Sequence, residues 1–227
     1  MSKLYQIRHV TRYRYENDIS ENVMEVRKCP LNRLNQRCMS FKLETDPGAK
    51  LFRFEEYNGN IVYHFDIPQR HRQMMMVAES LVEVREIEEL PRSVPVQAWD
   101  ELPLLCEDAD FLEYTLPSSL VEPTPALRSF FLEVGPRAGE DPLSFLFRVN
   151  SEIARGFDYV PLSTQVDSSV DEALAMKQGV CQDFAHIMVG VARLARIPAR
   201  YISGYLFHRE NDSDRSARDA SHARMEA

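Results

Sequence analysis

Cys181 and its neighbours, Gly179-Val180-Cys181-Gln182-Asp183-Phe184-Ala185, form the stretch of this chain best suited to chemistry. Gly179 reads as the stop of one helix, and Cys181 falls in the first turn of the next. A thiol placed there meets the positive end of the helix dipole and backbone N–H groups that no helical carbonyl uses. Both favour thiolate over thiol. The same N–H groups can hold the oxyanion that forms when sulfur attacks an amide carbonyl. The competing reading is a buried structural cysteine, the commoner fate of a single Cys.

A thiolate nucleophile needs a base within hydrogen-bond reach, most often His. The chain has six histidines. His186 shares the helix of Cys181 but lies roughly 500° of rotation further on, so it points elsewhere and reads as a packing residue. His9, His64 and His71 fall among strand-like segments, and His208 reads as a solvated loop residue. His222 sits in Asp219-Ala220-Ser221-His222-Ala223, and a helix, a strand and a loop fit between it and Cys181. It is the candidate base. A metal site built from Cys181, His186 and His222 is a remote third reading, because the direction of His186 argues against it.

Two compositions meet near residue 90, and they are the elements that must position these side chains. Tyr5, Ile7, His9, Thr11, Tyr13 and Tyr15 alternate with Gln6, Arg8, Arg12 and Arg14, the period of a half-buried antiparallel strand. Met39, Phe41 and Leu43 repeat the pattern, and a further strand is expected from Met74 to Val84. Asn58-Gly59, between Phe52–Tyr57 and Ile61–Ile67, tolerates positive φ at both turn positions and predicts a β-hairpin. Residues 1–88 therefore read as an all-β unit, a small sandwich. Glu88 to Pro95 carries two prolines and reads as part of a linker over 89–103.

Beyond the linker the period is helical. Thr124-Pro125 and Asp141-Pro142 place a capping side chain before a proline at the first helical position. Ser169 to Glu172 has capping-box spacing. Phe184, Ile187, Met188, Val191 and Leu194 then form one apolar stripe on the Cys181 helix. Pro198 stops that helix, and Tyr201–Phe207 reads as a strand. The expected class is α+β, with a β-sandwich followed by a core over residues 104–227.

Composition bounds the rest. The chain has 227 residues, 44% hydrophobic and 27% charged, which excludes a disordered tail, a collagen-like chain and a disulfide miniprotein. The net charge is −8 with no basic block, which argues against nucleic acid or an anionic membrane as the main partner. The N-terminus lacks the apolar run of a secretory signal. No stretch approaches the roughly 20 apolar residues of a membrane helix. Cys29, Cys38, Cys106 and Cys181 include only one close pair, Cys29 and Cys38, and fit neither a disulfide framework nor paired zinc ligands. Reduced thiols and a cytoplasmic location are expected.

The run from Gly179 to His186, with Arg196-Ile197-Pro198-Ala199-Arg200-Tyr201-Ile202-Ser203-Gly204-Tyr205-Leu206, resembles the core of bacterial transglutaminase-like proteins. Ala220-Ser221-His222-Ala223 resembles their histidine motif. Phe157-Asp158-Tyr159 with Thr164 and Val166 resembles the segment before their cysteine. His9 to Tyr15, Gln36 and Asn58-Gly59-Asn60 resemble the β-rich N-terminal region that accompanies this core. The resemblance implies a papain-like (transglutaminase-like) cysteine-nucleophile core, with Cys181 as nucleophile, His222 as base and no cofactor. It implies acyl transfer from a peptide or protein substrate to water or to an amine; a homo-oligomer is compatible with the sequence.

The triad Asp of the family comes on a later strand, and the aromatic residue that usually follows its His-Ala is here Arg224. Asp219 is too close to His222 to orient its ring. Glu226 is roughly 13 Å away along a strand. The chain is thus expected to be a core without its closing strands, of weakened activity. The alternative class is a non-catalytic peptide- or protein-binding module on the same scaffold, marked by an inert, buried Cys181 thiol.

Overall fold

A computed structural model describes residues 2–33, 35–86, 91–165, 167–207 and 221–227. His208, Asp219, Val166 and the stretch Glu88-Glu89-Leu90 lie outside the described residues. The chain divides into two compact units, Met1–Leu90 and Pro91–Ala227.

The first unit has six strands: β1 (Ser2–Ile19), β2 (Asn22–Val26), β3 (Gln36–Asp46), β4 (Phe52–Glu55), β5 (Ile61–Ile67) and β6 (His71–Arg85). They form two antiparallel sheets, ordered β1-β6-β3 and β2-β5-β4. Val26, Phe65 and Ile67 of one sheet meet Leu43, Met74, Met76 and Ala78 of the other in a single buried cluster. That shared core makes the unit a sandwich. β2 was not legible in the sequence, since five residues are too few for an alternation to stand out.

The β4–β5 hairpin forms where expected, but its turn differs. Only Gly59 has positive φ, at 83°. The Gly59 N–H donates to the Glu56 carbonyl at 2.9 Å, and the Glu56 N–H to the Asn60 carbonyl at 2.9 Å. This is the three-residue loop in which an ordinary turn is followed by one left-handed residue, so glycine is required once rather than twice.

The second unit begins with α1 (Ala98–Glu107), α2 (Ala109–Leu112), α3 (Pro125–Val134) and α4 (Pro142–Gly156). There follow β7 (Asp158–Tyr159), α5 (Val170–Met176), β8 (Gln178–Gly179), α6 (Cys181–Leu194), β9 (Arg200–Gly204) and β10 (His222–Glu226). Thr124, Asp141 and Ser169 cap α3, α4 and α5 with their side-chain oxygens, as their positions predicted.

Three expectations are corrected here. Residues 98–103 of the expected linker are the first turns of α1, which carries Pro103 inside it. Its Trp99 donates to the Glu140 carbonyl at 2.7 Å and packs 5.9 Å from the Phe145 ring. Tertiary anchoring of this kind offsets the missing N–H of an internal proline. The strand expected to reach Phe207 ends at Gly204, where its pairing with β10 ends. The single stripe expected on α6 is instead a helix buried on every side, from Ala185 to Ala192.

That burial follows from composition, because a helix surface apolar at every position but His186 must be enclosed. α3, α4 and α5 surround α6 through Leu127, Phe145, Val149, Ile153 and Ala173. Gly190 lets α3 approach: a Cβ there would stand 2.6 Å from Leu127 Cδ2. Phe145 is 0% exposed in this core. Phe145→Ala is expected to cost about 3–5 kcal/mol, the usual loss for an emptied aromatic site. Urea unfolding of the two proteins measures it, and a cost near zero would mean that the site collapses freely.

Candidate active site

Cys181 is the first residue of α6 and is half-buried. The strand that delivers it is short but fixed at both ends. β8 pairs in parallel with β7, Asp158 opposite Gln178 and Tyr159 opposite Gly179. The Val160 N–H then donates to the Gly179 carbonyl at 3.0 Å. Val180 occupies the N-cap, and its side chain has no acceptor with which to cap α6. The first-turn N–H groups of a helix have no acceptor within that helix, and an oxyanion site beside Cys181 would draw on them.

Asp183 does the fixing that Val180 cannot. Its Oδ2 accepts the Val180 N–H and the Thr164 hydroxyl, each at 2.7 Å, and the residue is 2% exposed. This clamp joins the loop after β7 to the start of the helix. It also explains Gly179, whose expected role is corrected. The left-handed residue that ends α5 is Lys177, with φ 49°, and not Gly179. Gly179 is buried in β8, where a Cβ would fall 2.8 Å from Asp183 Oδ2 and 2.9 Å from its Cβ. Glycine is needed there for the close approach of the carboxylate.

His222 opens β10, opposite Gly204, and is 5% exposed. β10 packs against α6, so one element carries the candidate base to the helix of the candidate nucleophile. At the other end of β10, Glu226 is ion-paired with Arg200 at 2.5 Å, and Arg200 also donates to the Tyr114 hydroxyl at 2.9 Å. The Glu226 carboxylate is therefore committed away from His222.

The other described histidines have structural surroundings of their own. His186 is buried with its ring centroid 5.0 Å from that of Tyr201. His71 is buried edge-on to Tyr15, and His64 lies on β5 beside Glu25 at 4.0 Å. Burial, with Lys28 nearby, lowers the His9 imidazole. Among the described residues no group of three or more His, Cys, Asp or Glu is placed to hold a metal ion.

Burial also holds the His186 pKa below its ordinary value, and the Asp183 charge opposes this only in part. The unfolded chain therefore binds this proton more readily than the folded one. Stability from this group is complete above the ordinary value near 6.5 and declines as pH falls toward the folded value. The thermal midpoint should fall between neutral pH and pH about 5, with a flatter profile in His186→Gln. An unchanged profile in that variant would remove His186 from the acid response.

Beside the helix start is a cavity of about 290 Å³. Gln182, His186, Val189 and Arg193 of α6 form one wall, Ser118 to Val121 another, and Tyr201 a third. Burial and the proximity of Cys181 and Asp183 push the Tyr201 phenol above its ordinary range. The cavity and Asp183 were both missed by sequence reasoning; only Thr164, quoted with the segment before the cysteine, signalled the clamp.

Residues 5–83 match the bacterial transglutaminase-like N-terminal region, and residues 135–227 match the transglutaminase-like superfamily. An uncharacterized protein of Mycobacterium leprae (strain TN) is 31% identical over 223 residues, covering 96% of this chain and 77% of that protein. The chain belongs to the transglutaminase-like superfamily. An uncharacterized protein of Mycobacterium tuberculosis (strain ATCC 25618 / H37Rv) is also 31% identical, over 89% of this chain and 65% of its own length. The crystal structure of a candidate cysteine protease from Cytophaga hutchinsonii superposes with a TM-score of 0.74 at 20% identity, covering 100% of this chain and 74% of that one. This likeness shows the fold, an α+β transglutaminase-like one. Cys181 and His222 both lie in the stretch that matches the transglutaminase-like superfamily.

Proposed function

We propose that this transglutaminase-like chain performs acyl transfer on peptide or amide substrates, with Cys181 as nucleophile and His222 as base. The observation that carries the reading is the placement of Cys181 at the start of α6, directly after an N-cap residue with no side-chain acceptor. The packing of β10 against the same helix supports it.

In this mechanism His222 takes the Cys181 proton, and the thiolate attacks the substrate carbonyl carbon. The carbonyl electrons move to oxygen, where the first-turn N–H groups stabilise the negative charge. Collapse breaks the carbon–nitrogen bond, and His222 returns the proton to the leaving amine. The resulting thioester on Cys181 then passes its acyl group to water or to a second amine. The cavity along α6, lined by both apolar Val121 and Val189 and polar Gln182 and Arg193, receives part of the acyl donor.

The test is capture of the thioester. The full chain is incubated with an amide donor, such as a glutamine-containing peptide, then quenched in acid and digested with trypsin. The acyl mass should appear on the Gln178–Arg193 peptide and disappear on treatment with hydroxylamine. His222→Ala should form little of it. Tight peptide binding without any acylation would instead favour a binding module on this scaffold.

A further inference from the structure

Cys29 and Cys38 play no part in the site described above, yet the fold brings them together. Residues 27–33 lie on the connection from β2 in one sheet to β3 in the other. This crossover is folded back on the start of β3. The Cys38 N–H donates to Asn32 Oδ1 at 2.9 Å, and Gln36 Nε2 donates to the Leu31 carbonyl at 2.8 Å. Arg33 and Gln36 exchange backbone bonds of 2.8 and 3.2 Å.

At this point β3 is irregular, with its register to β6 shifting between Cys38 and Ser40. The Cys38 thiol turns to the Ser40 carbonyl at 3.4 Å, and the Cys29 thiol to the Pro30 carbonyl at 3.9 Å. Such contacts to carbonyls are weak and readily given up. Each thiol is a neighbour of the other and of the Tyr63 phenol. Arg53, opposite Tyr63 in the β4–β5 ladder, brings a cation beside Cys29.

We propose that Cys29 and Cys38 are a reversible dithiol–disulfide pair that a low-molecular-weight disulfide oxidises, stapling the crossover between the two sheets to β3. Two exchange steps balance the reaction. One protein thiolate attacks a sulfur of the external disulfide, forming a mixed disulfide and expelling one small thiolate. The second protein thiol loses its proton to solvent, attacks the first protein sulfur and expels the other small thiolate. Two protein thiols are oxidised and one external disulfide is reduced to two thiols. The Cys38 thiol contact is exposed and that of Cys29 part-buried, so Cys38 meets the external disulfide first and Cys29, its thiol pushed up to about 11 by burial and the neighbouring sulfur, resolves.

Peptide mapping of the full chain tests this directly. The protein is equilibrated with oxidised and reduced glutathione, quenched in acid and digested with trypsin without reduction. Cleavage after Lys28, Arg33, Arg37 and Lys42 should release Cys29–Arg33 joined to Cys38–Lys42, a species that dithiothreitol abolishes. Oxidation should also raise the thermal midpoint of the N-terminal unit by several degrees, since the bond closes a loop of the unfolded chain. In Cys29→Ser, which has no resolving thiol, Cys38 should accumulate as a stable glutathione adduct. The proposal is overturned if the two cysteines carry only separate adducts or stay free, or if either joins Cys106 or Cys181. An unmodified Cys38 in Cys29→Ser overturns it as well.

Discussion

Replacing Cys181 with Ala should remove acyl transfer and leave the fold almost untouched. Alanine has no nucleophile, so the expected loss is at least about 10⁴-fold, the scale at which removal of a triad member leaves only background from binding and the oxyanion site. Stability should change by no more than about 0.5 kcal/mol, because Cys181 is half-buried at the helix start and alanine is the better helix former. Cys181→Ser should lose nearly as much, since a hydroxyl is far less readily ionised than a thiol. His222→Ala should be similarly slow, and the double substitution no slower than either alone, because nucleophile and base act as one unit. Steady-state rates on an amide donor, beside thermal melts of each protein, decide it. Surviving activity in Cys181→Ala removes this cysteine from the mechanism. A large loss of stability would make it a structural residue.

How much of this was legible in the sequence depended on the range over which each signal acts. Caps are local, so Thr124, Asp141 and Ser169 could be read from a few residues, and the structure places all three side chains on the expected N–H groups. The β1 alternation was legible because a half-buried strand exposes every second residue, and β1 runs antiparallel along β6 as that pattern requires. The helix that starts at Cys181 was legible, but its enclosure was not. A stripe was counted where Ala185, Val189, Gly190 and Ala192 close the remaining faces, and only the presence of α3, α4 and α5 around it explains why.

Signals that act at a distance were misread. Gly179 has the form of a helix stop, and nothing local says that its partner is the carboxylate of Asp183. Thr164 and Asp183 are far apart in sequence, so their bond has no pattern to show. Pro91 and Pro95 read as part of a linker, which was expected to run to residue 103. The helix through Pro103 exists because Trp99 is held by Glu140 and Phe145 from a distant segment. The candidate pair fared differently for the same reason: Cys181 was marked by its own neighbours, while His222 rested on resemblance, because strand packing against α6 leaves no trace near Asp219 to Ala223.

Removing the Asp183 side chain should injure both the fold and the chemistry, and the two effects can be separated. Asp183→Ala leaves the Val180 N–H and the Thr164 hydroxyl without their acceptor inside the protein. A buried group so deprived costs about 1–3 kcal/mol, so a total near 2–4 kcal/mol is expected in urea unfolding. The same change releases the start of α6 from the loop after β7, so Cys181 and the first-turn N–H groups shift together. Misplacement by about 1 Å costs on the order of 10²-fold in rate, and the loss should fall on kcat more than on KM. Asp183→Asn keeps the shape and an acceptor oxygen for both donors, so it should recover most of kcat well below its melting temperature. Gly179→Ala should reproduce the alanine variant from the opposite side, since the new Cβ would press on the carboxylate that Asp183 needs to keep in place. Overpacking of this kind costs about 1–3 kcal/mol. If Asp183→Ala and Gly179→Ala melt early but keep full kcat at low temperature, the clamp holds the fold alone and Cys181 is positioned by something else.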